Sequence, residues 1–178
     1  MREDITARNQ EQLFIRWVEL YRKPVRGYLL SLTRDVNLAE DLSQETFCKA
    51  WANRERYMER GTPQAYLFRI ADNLLVDYYR KRREGCHDDT AWDFFEPVET
   101  ENPAERAETN ENIVQLRRMM HDLSPIQARV LSLRFFSQLK FTEIADIVEI
   151  PLNTVLSHVH RGLKILRVKM GAKEADDE

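Results

Sequence analysis

A chain of 178 residues, 43% hydrophobic and 32% charged, has room for one or two compact domains and enough apolar content to exclude a wholly disordered or fibrous protein. Few glycines and prolines speak against an all-β or collagen-like chain. No run approaches the ~20 apolar residues of a membrane span, and residues 1–12 are too polar for a signal peptide, so a cytoplasmic protein without membrane insertion is expected. The formal net charge of −3 hides a segregation: residues 1–83 carry 16 Lys+Arg against 12 Asp+Glu, residues 84–112 one against ten, and residues 113–170 nine against four. Two basic blocks are thus joined by an acidic strap.

In the first block, Phe14, Trp17, Val18, Tyr21, Val25, Tyr28, Leu29 and Leu32 recur at spacings of three and four, which predicts a core-facing helix. Pro24 falls inside that run and, lacking an amide hydrogen, is expected to kink or break it. Asn37 followed by Glu40 offers a capping pair for a second helix with Ala39, Leu42, Phe47, Ala50 and Trp51 on one side. A polar loop over roughly 53–61 precedes Thr62 and Pro63, a cap and first residue for a third helix. Its apolar face is Leu67, Ile70, Ala71, Leu74, Leu75 and Tyr78, with Tyr79 outside the stripe, and it ends in the cations Arg80 to Arg83.

Residues 84–112 show no sustained period and read as a flexible acidic linker. Ile113, Leu116, Met119 and Met120 then suggest a helix, and Ser124, Pro125 and Gln127 open another with a capping box. Two shorter helical segments, about 141–148 and 153–169, are split by Glu149, Ile150 and Pro151, a pattern expected of a helix-turn-helix. With Asn153 as its cap, the last helix would bury Val155, Val159, Gly162 and Leu166 and expose Asn153, Ser157, His160, Arg161 and Lys164. Amide, hydroxyl, imidazole and cationic groups on one face are the types that bond base edges and phosphates in a major groove. The fold expected is all-α: a helical domain over 1–83, the acidic linker over 84–112, and a second helical domain over 113–178 with a short acidic tail.

Motifs for chemistry are missing. The sequence holds no GxSxG, HExxH or phosphate-cradling glycine loop, and its four histidines stand at 87, 121, 158 and 160. Cys48 and Cys86 lack the spacing of a zinc site or disulfide framework, and Cys48 reads as a small semi-buried hydrophobe. No enzyme activity, metal or cofactor is expected.

The segment FTEIADIVEIPLNTVLSHVHRGLKILR at 141–167 resembles the helix-turn-helix of the sigma-70 family that reads the −35 promoter element, through Glu143-Ile144-Ala145, Ile150-Pro151, Thr154-Val155, Ser157 and His160-Arg161. LAEDLSQETFCKAW at 38–51 resembles the family helix that docks on the clamp helices of the polymerase β′ subunit, and AYLFRIADNLLVDYYRKRR at 65–83 resembles the segment that melts and reads the −10 element. Together these motifs resemble an extracytoplasmic-function (ECF) sigma factor. That resemblance implies a subunit that binds RNA polymerase core through β′ and β and directs promoter-specific initiation. It assigns Asp41, Gln44 and Glu45 to core binding, Arg69, Asn73 and Arg80 to −10 DNA (with Asp77 at a further characteristic position), and Asn153, Thr154, Ser157, His160, Arg161 and Lys164 to −35 DNA. It also implies an anti-sigma partner. The sequence departs from the family at Glu149, where the turn usually has Gly, at Leu156 and His158, usually cationic, and at Lys140, usually a capping Ser or Thr. The rival reading is a stand-alone helix-turn-helix regulator using 113–169 alone, which leaves the 38–51 and 66–83 motifs without a role.

Overall fold

The computed structural model describes residues 2–54, 62–85, 120 and 122–169. These form six helices and, among the described residues, no strand: α1 (Arg2–Thr33), α2 (Val36–Ala52), α3 (Pro63–Gly85), α4 (Pro125–Ser137), α5 (Phe141–Val148) and α6 (Leu152–Lys169). The acidic stretch 86–112, the expected helix at Ile113, Leu116 and Met119, and the loop 55–61 lie outside the described residues. No described helix is long and apolar enough to cross a membrane.

Helices α1, α2 and α3 pack around Trp17, Val25, Tyr28, Leu29, Leu32, Phe47, Leu67 and Phe68. Aromatic rings tie them together, with Phe14 edge-on to Phe47 at 6.4 Å and Tyr28 tilted on Phe68 at 5.6 Å. Helices α4, α5 and α6 close around Val130, Leu133, Ile144, Ile147 and Val155. The close approach of α6 to α4 needs Gly162, where a Cβ would sit 2.7 Å from a Leu131 methyl. The two sets of helices also pack on each other, α1 and α3 against α4, and α3 against α5.

Several expectations are corrected. Of the kink or break expected at Pro24, the break does not occur, since α1 runs through it; the missing amide costs one hydrogen bond, offset by burial of Trp17, Val25, Tyr28 and Leu29 on either side. The cap of α2 is Asp35 rather than Asn37, its carboxylate accepting from the Leu38 amide at 3.0 Å after Arg34 has turned the chain in a left-handed conformation. Glu40 instead ties α2 to α1, taking Arg22 and Arg26 at 2.8 Å each. Cys48 is exposed, and Trp51 sits at the rim of the core, its ring 5.0 Å from Phe14 and under the Arg54 guanidinium. Tyr79, not Tyr78, packs on the core, and burial pushes its phenol up to about 12.

The caps at Thr62 and Ser124 form as expected: Thr62 Oγ1 accepts from the Ala65 amide at 3.2 Å, and Gln127 Oε1 accepts from the Ser124 amide at 2.9 Å. Asn153 is not the cap of α6. The Pro151 carbonyl accepts from the Val155 amide at 3.0 Å, which moves the helix start back by one residue and places Asn153 in the first turn. At α5 the Lys140 side chain cannot accept, and the Glu143 carboxylate alone reaches back to the Lys140 amide at 2.9 Å.

Candidate functional site

Three surfaces carry the residues singled out in the sequence. On α2, Ala39, Leu42, Ser43, Thr46, Phe47 and Ala50 are buried, so Asp41, Gln44 and Glu45, at spacings of three and four, share the opposite, solvent-facing side. Glu45 pairs with Lys49 one turn on, at 3.0 Å. Behind this face the hydrogen bond from Arg22, with Arg26 beside it, holds the Glu40 carboxyl below the usual carboxylate range. The result is a mainly acidic ridge on an apolar floor.

On α3, Arg69, Asn73, Asp77 and Arg80 form an exposed line at steps of four, four and three. Leu67, Phe68, Ala71, Leu74 and Leu75 are buried beneath it. Asp77 and Arg80 pair at 3.1 Å across half-exposed side chains, so the line presents two cations, an amide and one tethered carboxylate.

On α6, Asn153, Thr154, Ser157, His160, Arg161 and Lys164 all face solvent, while Val155 and Gly162 are buried. The Ser157 hydroxyl donates to the Asn153 carbonyl at 2.9 Å, which leaves its oxygen free to accept. Beside these polar groups runs an apolar edge of Leu152, Leu156 and Leu163, each 37–43% exposed. His158 is half-buried and its Nδ1 is sealed from solvent without a hydrogen-bond partner. The turn before α6 sets its angle: Glu149 adopts φ 58° and ψ 40°, and the Ile150 amide donates to the Ala145 carbonyl at 3.3 Å.

The structure does not merge these surfaces into one pocket; they face solvent from separate helices. Among the described residues no group of three or more His, Cys, Asp or Glu is placed to hold a metal. One polar cluster escaped the sequence reading. Asp72 is buried, accepting from the Tyr28 hydroxyl at 2.5 Å and taking Arg129 at 3.0 Å through Nε and 2.5 Å through Nη2. Burial first, and the neighbouring Asp72 carboxylate second, push the Tyr28 phenol well above its ordinary value, so it stays a donor. The signal was present: Phe68, Ala71, Asp72 and Leu75 follow the spacing of a buried helix stripe, which places the carboxylate among core positions.

Residues 17–84 match the family model for sigma-70 region 2, and residues 113–166 match the model for sigma-70 region 4. The chain is 31% identical over 153 residues to the ECF RNA polymerase sigma factor SigM of Bacillus subtilis, covering 83% of this chain and 91% of that protein. It is 23% identical over 171 residues to SigW of the same organism, covering 92% and 91%. Among solved structures, the sigma factor RpoE of Bartonella quintana, in complex with the anti-sigma factor NepR, shares the fold with a TM-score of 0.72 at 23% identity, over 90% of this chain and 98% of that one. CnrH, solved with the cytosolic domain of CnrY, gives 0.68 at 18% identity over 92% and 91%. The order of the two matched regions, the helices that carry them and the likeness to SigM converge: the chain belongs to the ECF sigma factors of the sigma-70 family, subunits that bind RNA polymerase and direct transcription initiation.

Proposed function

We propose that the three exposed surfaces divide the work of this sigma factor, with residues 1–83 holding the polymerase core and the −10 element and residues 113–170 holding the −35 element. The α2 ridge of Asp41, Gln44 and Glu45 is the core-docking face: acidic groups on an apolar base pair with a basic partner helix and fix its register. The α3 line of Arg69, Asn73 and Arg80 tracks the opened −10 strand, the cations along the backbone and the Asn amide on an unstacked base. Helices α5 and α6 act as a helix-turn-helix whose Asn153, Thr154, Ser157, His160, Arg161 and Lys164 enter the −35 major groove. Residues 84–112 link the two domains. Chemistry stays with the polymerase, and the protein works in the cytoplasm. An anti-sigma partner is part of this reading, motivated by the structural neighbour solved with NepR.

The observation that carries the proposal is the exposure of every assigned side chain on helices whose other faces are packed. The deciding experiment is a pull-down with bacterial core polymerase, comparing wild type with Asp41→Ala/Gln44→Ala/Glu45→Ala. These side chains are on the surface, so the variant should fold as wild type by circular dichroism and lose stoichiometric core binding. A folded variant that still binds core at wild-type affinity removes α2 as the docking face.

A further inference from the structure

The core accounts for only part of the apolar content of α6. Val155 is buried, and Val159, Ile165 and Leu166 pack against the core. Leu152, Leu156 and Leu163 do neither, and are 37%, 41% and 43% exposed. Each residue turns the helix by about 100°, so Leu156 stands roughly a quarter-turn round from the buried Val155. Leu152 and Leu163 fall on the same edge, one turn before it and two turns after. This edge borders the polar face directly, because Asn153 and His160, both exposed, are the neighbours of Leu156 at spacings of three and four.

The rest of α6 sets the chemistry of what meets that edge. The helix carries Arg161, Lys164, Arg167 and Lys169 and no Asp or Glu, which suits a polyanion. A leucine side chain neither donates nor accepts a hydrogen bond, and against a phosphate it contributes nothing. In the major groove of a duplex the base edges present acceptors, amino donors and one apolar substituent, the thymine C5 methyl. Helix-turn-helix proteins aim the N-terminal residues of the second helix at base edges, and Leu152 and Leu156 lie in the first two turns of α6. Leu156 also stands where the sigma-70 family usually has a cation. That exchange gives up a contact available on any sequence and gains one available only where thymine is present.

We infer that Leu156, with Leu152 beside it, is a specificity-determining residue that selects thymine at one position of the −35 element by packing on its C5 methyl. The inference rests on the proposed reading of α6 as the −35 helix, and adds to it a base and the group that recognises it. Asn153 and His160 flank the contact and fix its register through hydrogen bonds to the duplex. One methyl removed from water against the leucines gives about a fourfold preference over the same base without it.

The test uses the full chain assembled with bacterial core polymerase. Duplexes randomised across the −35 and −10 windows are enriched by binding to this holoenzyme. An enriched duplex is then remade with uracil, which lacks only the methyl, in place of one −35 thymine at a time. Wild type should bind one of these duplexes about fourfold more weakly than its thymine parent. Leu156→Ala should bind the two equally. Leu156→Arg should do the same, and its salt dependence should steepen by about one phosphate contact. Both substitutions fall on an exposed helical position, so the fold should survive them. A leucine with a merely structural role would weaken both duplexes alike in the variants and keep the fourfold difference. A wild type indifferent to every uracil, or a penalty that survives in both variants, overturns the inference and leaves the leucine edge for a protein partner. Enrichment of no sequence in the −35 window overturns the reading of α6 itself, and this inference with it.

Discussion

Glu149 ends α5 in the left-handed region, where a Cβ crowds the following carbonyl, and it puts a carboxylate at the negative end of a helix dipole. Both effects oppose folding. Glu149→Gly should therefore stabilise the protein by about 0.5–1 kcal/mol, the relief of strain being partly offset by the extra freedom glycine has when unfolded. Thermal melts should show a rise of about 1–4 °C for a chain of this size. Glu149→Gln, which removes the charge but keeps the Cβ, should recover only the smaller electrostatic part. A melting temperature unchanged by glycine would mean the surrounding turn already accommodates the side chain. The position stands out in the sequence because the resemblance puts Gly there, and the structure supplies the positive φ that explains it. The role of Asp72 is legible only in part: helix phase places it inside, but its partners lie 44 and 57 residues away, and no local pattern names them.

Single helices were largely readable because their causes are local. Thr62 and Ser124 cap as their neighbours predict, and the buried stripes of α1, α3 and α6 follow from spacing. Where local rules failed, tertiary contacts decided. Pro24 sits in a helix whose flanks are buried, and Asn37 lost the cap to Asp35 because α1 ends two residues earlier. Glu40, freed from capping, became the clamp between α1 and α2, and this has a pH signature. Its folded carboxyl is held below its ordinary range by the Arg22 hydrogen bond, so it contributes stability above an unfolded value near ~4.3. That contribution is lost as pH falls through the lower folded value. Urea unfolding of wild type and Glu40→Gln should differ at pH 7, with wild type the more stable, and converge once the pH has fallen below the lowered folded value. A difference that persists unchanged at low pH would assign the effect to packing rather than to charge.

At the scale of the whole molecule, the packing of one basic unit on another is the feature the sequence conceals most fully. Blocks carrying 16 Lys+Arg against 12 Asp+Glu, and nine against four, should repel, and the Asp72–Arg129 pair across their contact offsets that repulsion only locally. The ten acids of residues 84–112 set the long-range balance. Whatever path that segment takes, its charge should lower the potential that a DNA duplex meets as it approaches either proposed DNA-binding face, and so weaken non-specific binding by the free protein. Replacing Glu99, Glu101, Glu105 and Glu108 with Gln removes four negative charges and moves the formal net charge from −3 to +1. The variant should bind a random-sequence duplex several-fold more tightly than wild type in fluorescence anisotropy at low salt. The gain should fade as salt approaches about 0.3 M, where the Debye length falls to roughly 5–6 Å. Equal affinity at low salt would show that the strap is too far from the proposed DNA-binding helices to act through its field, and the near neutrality of the chain would then have no bearing on its affinity for random-sequence DNA.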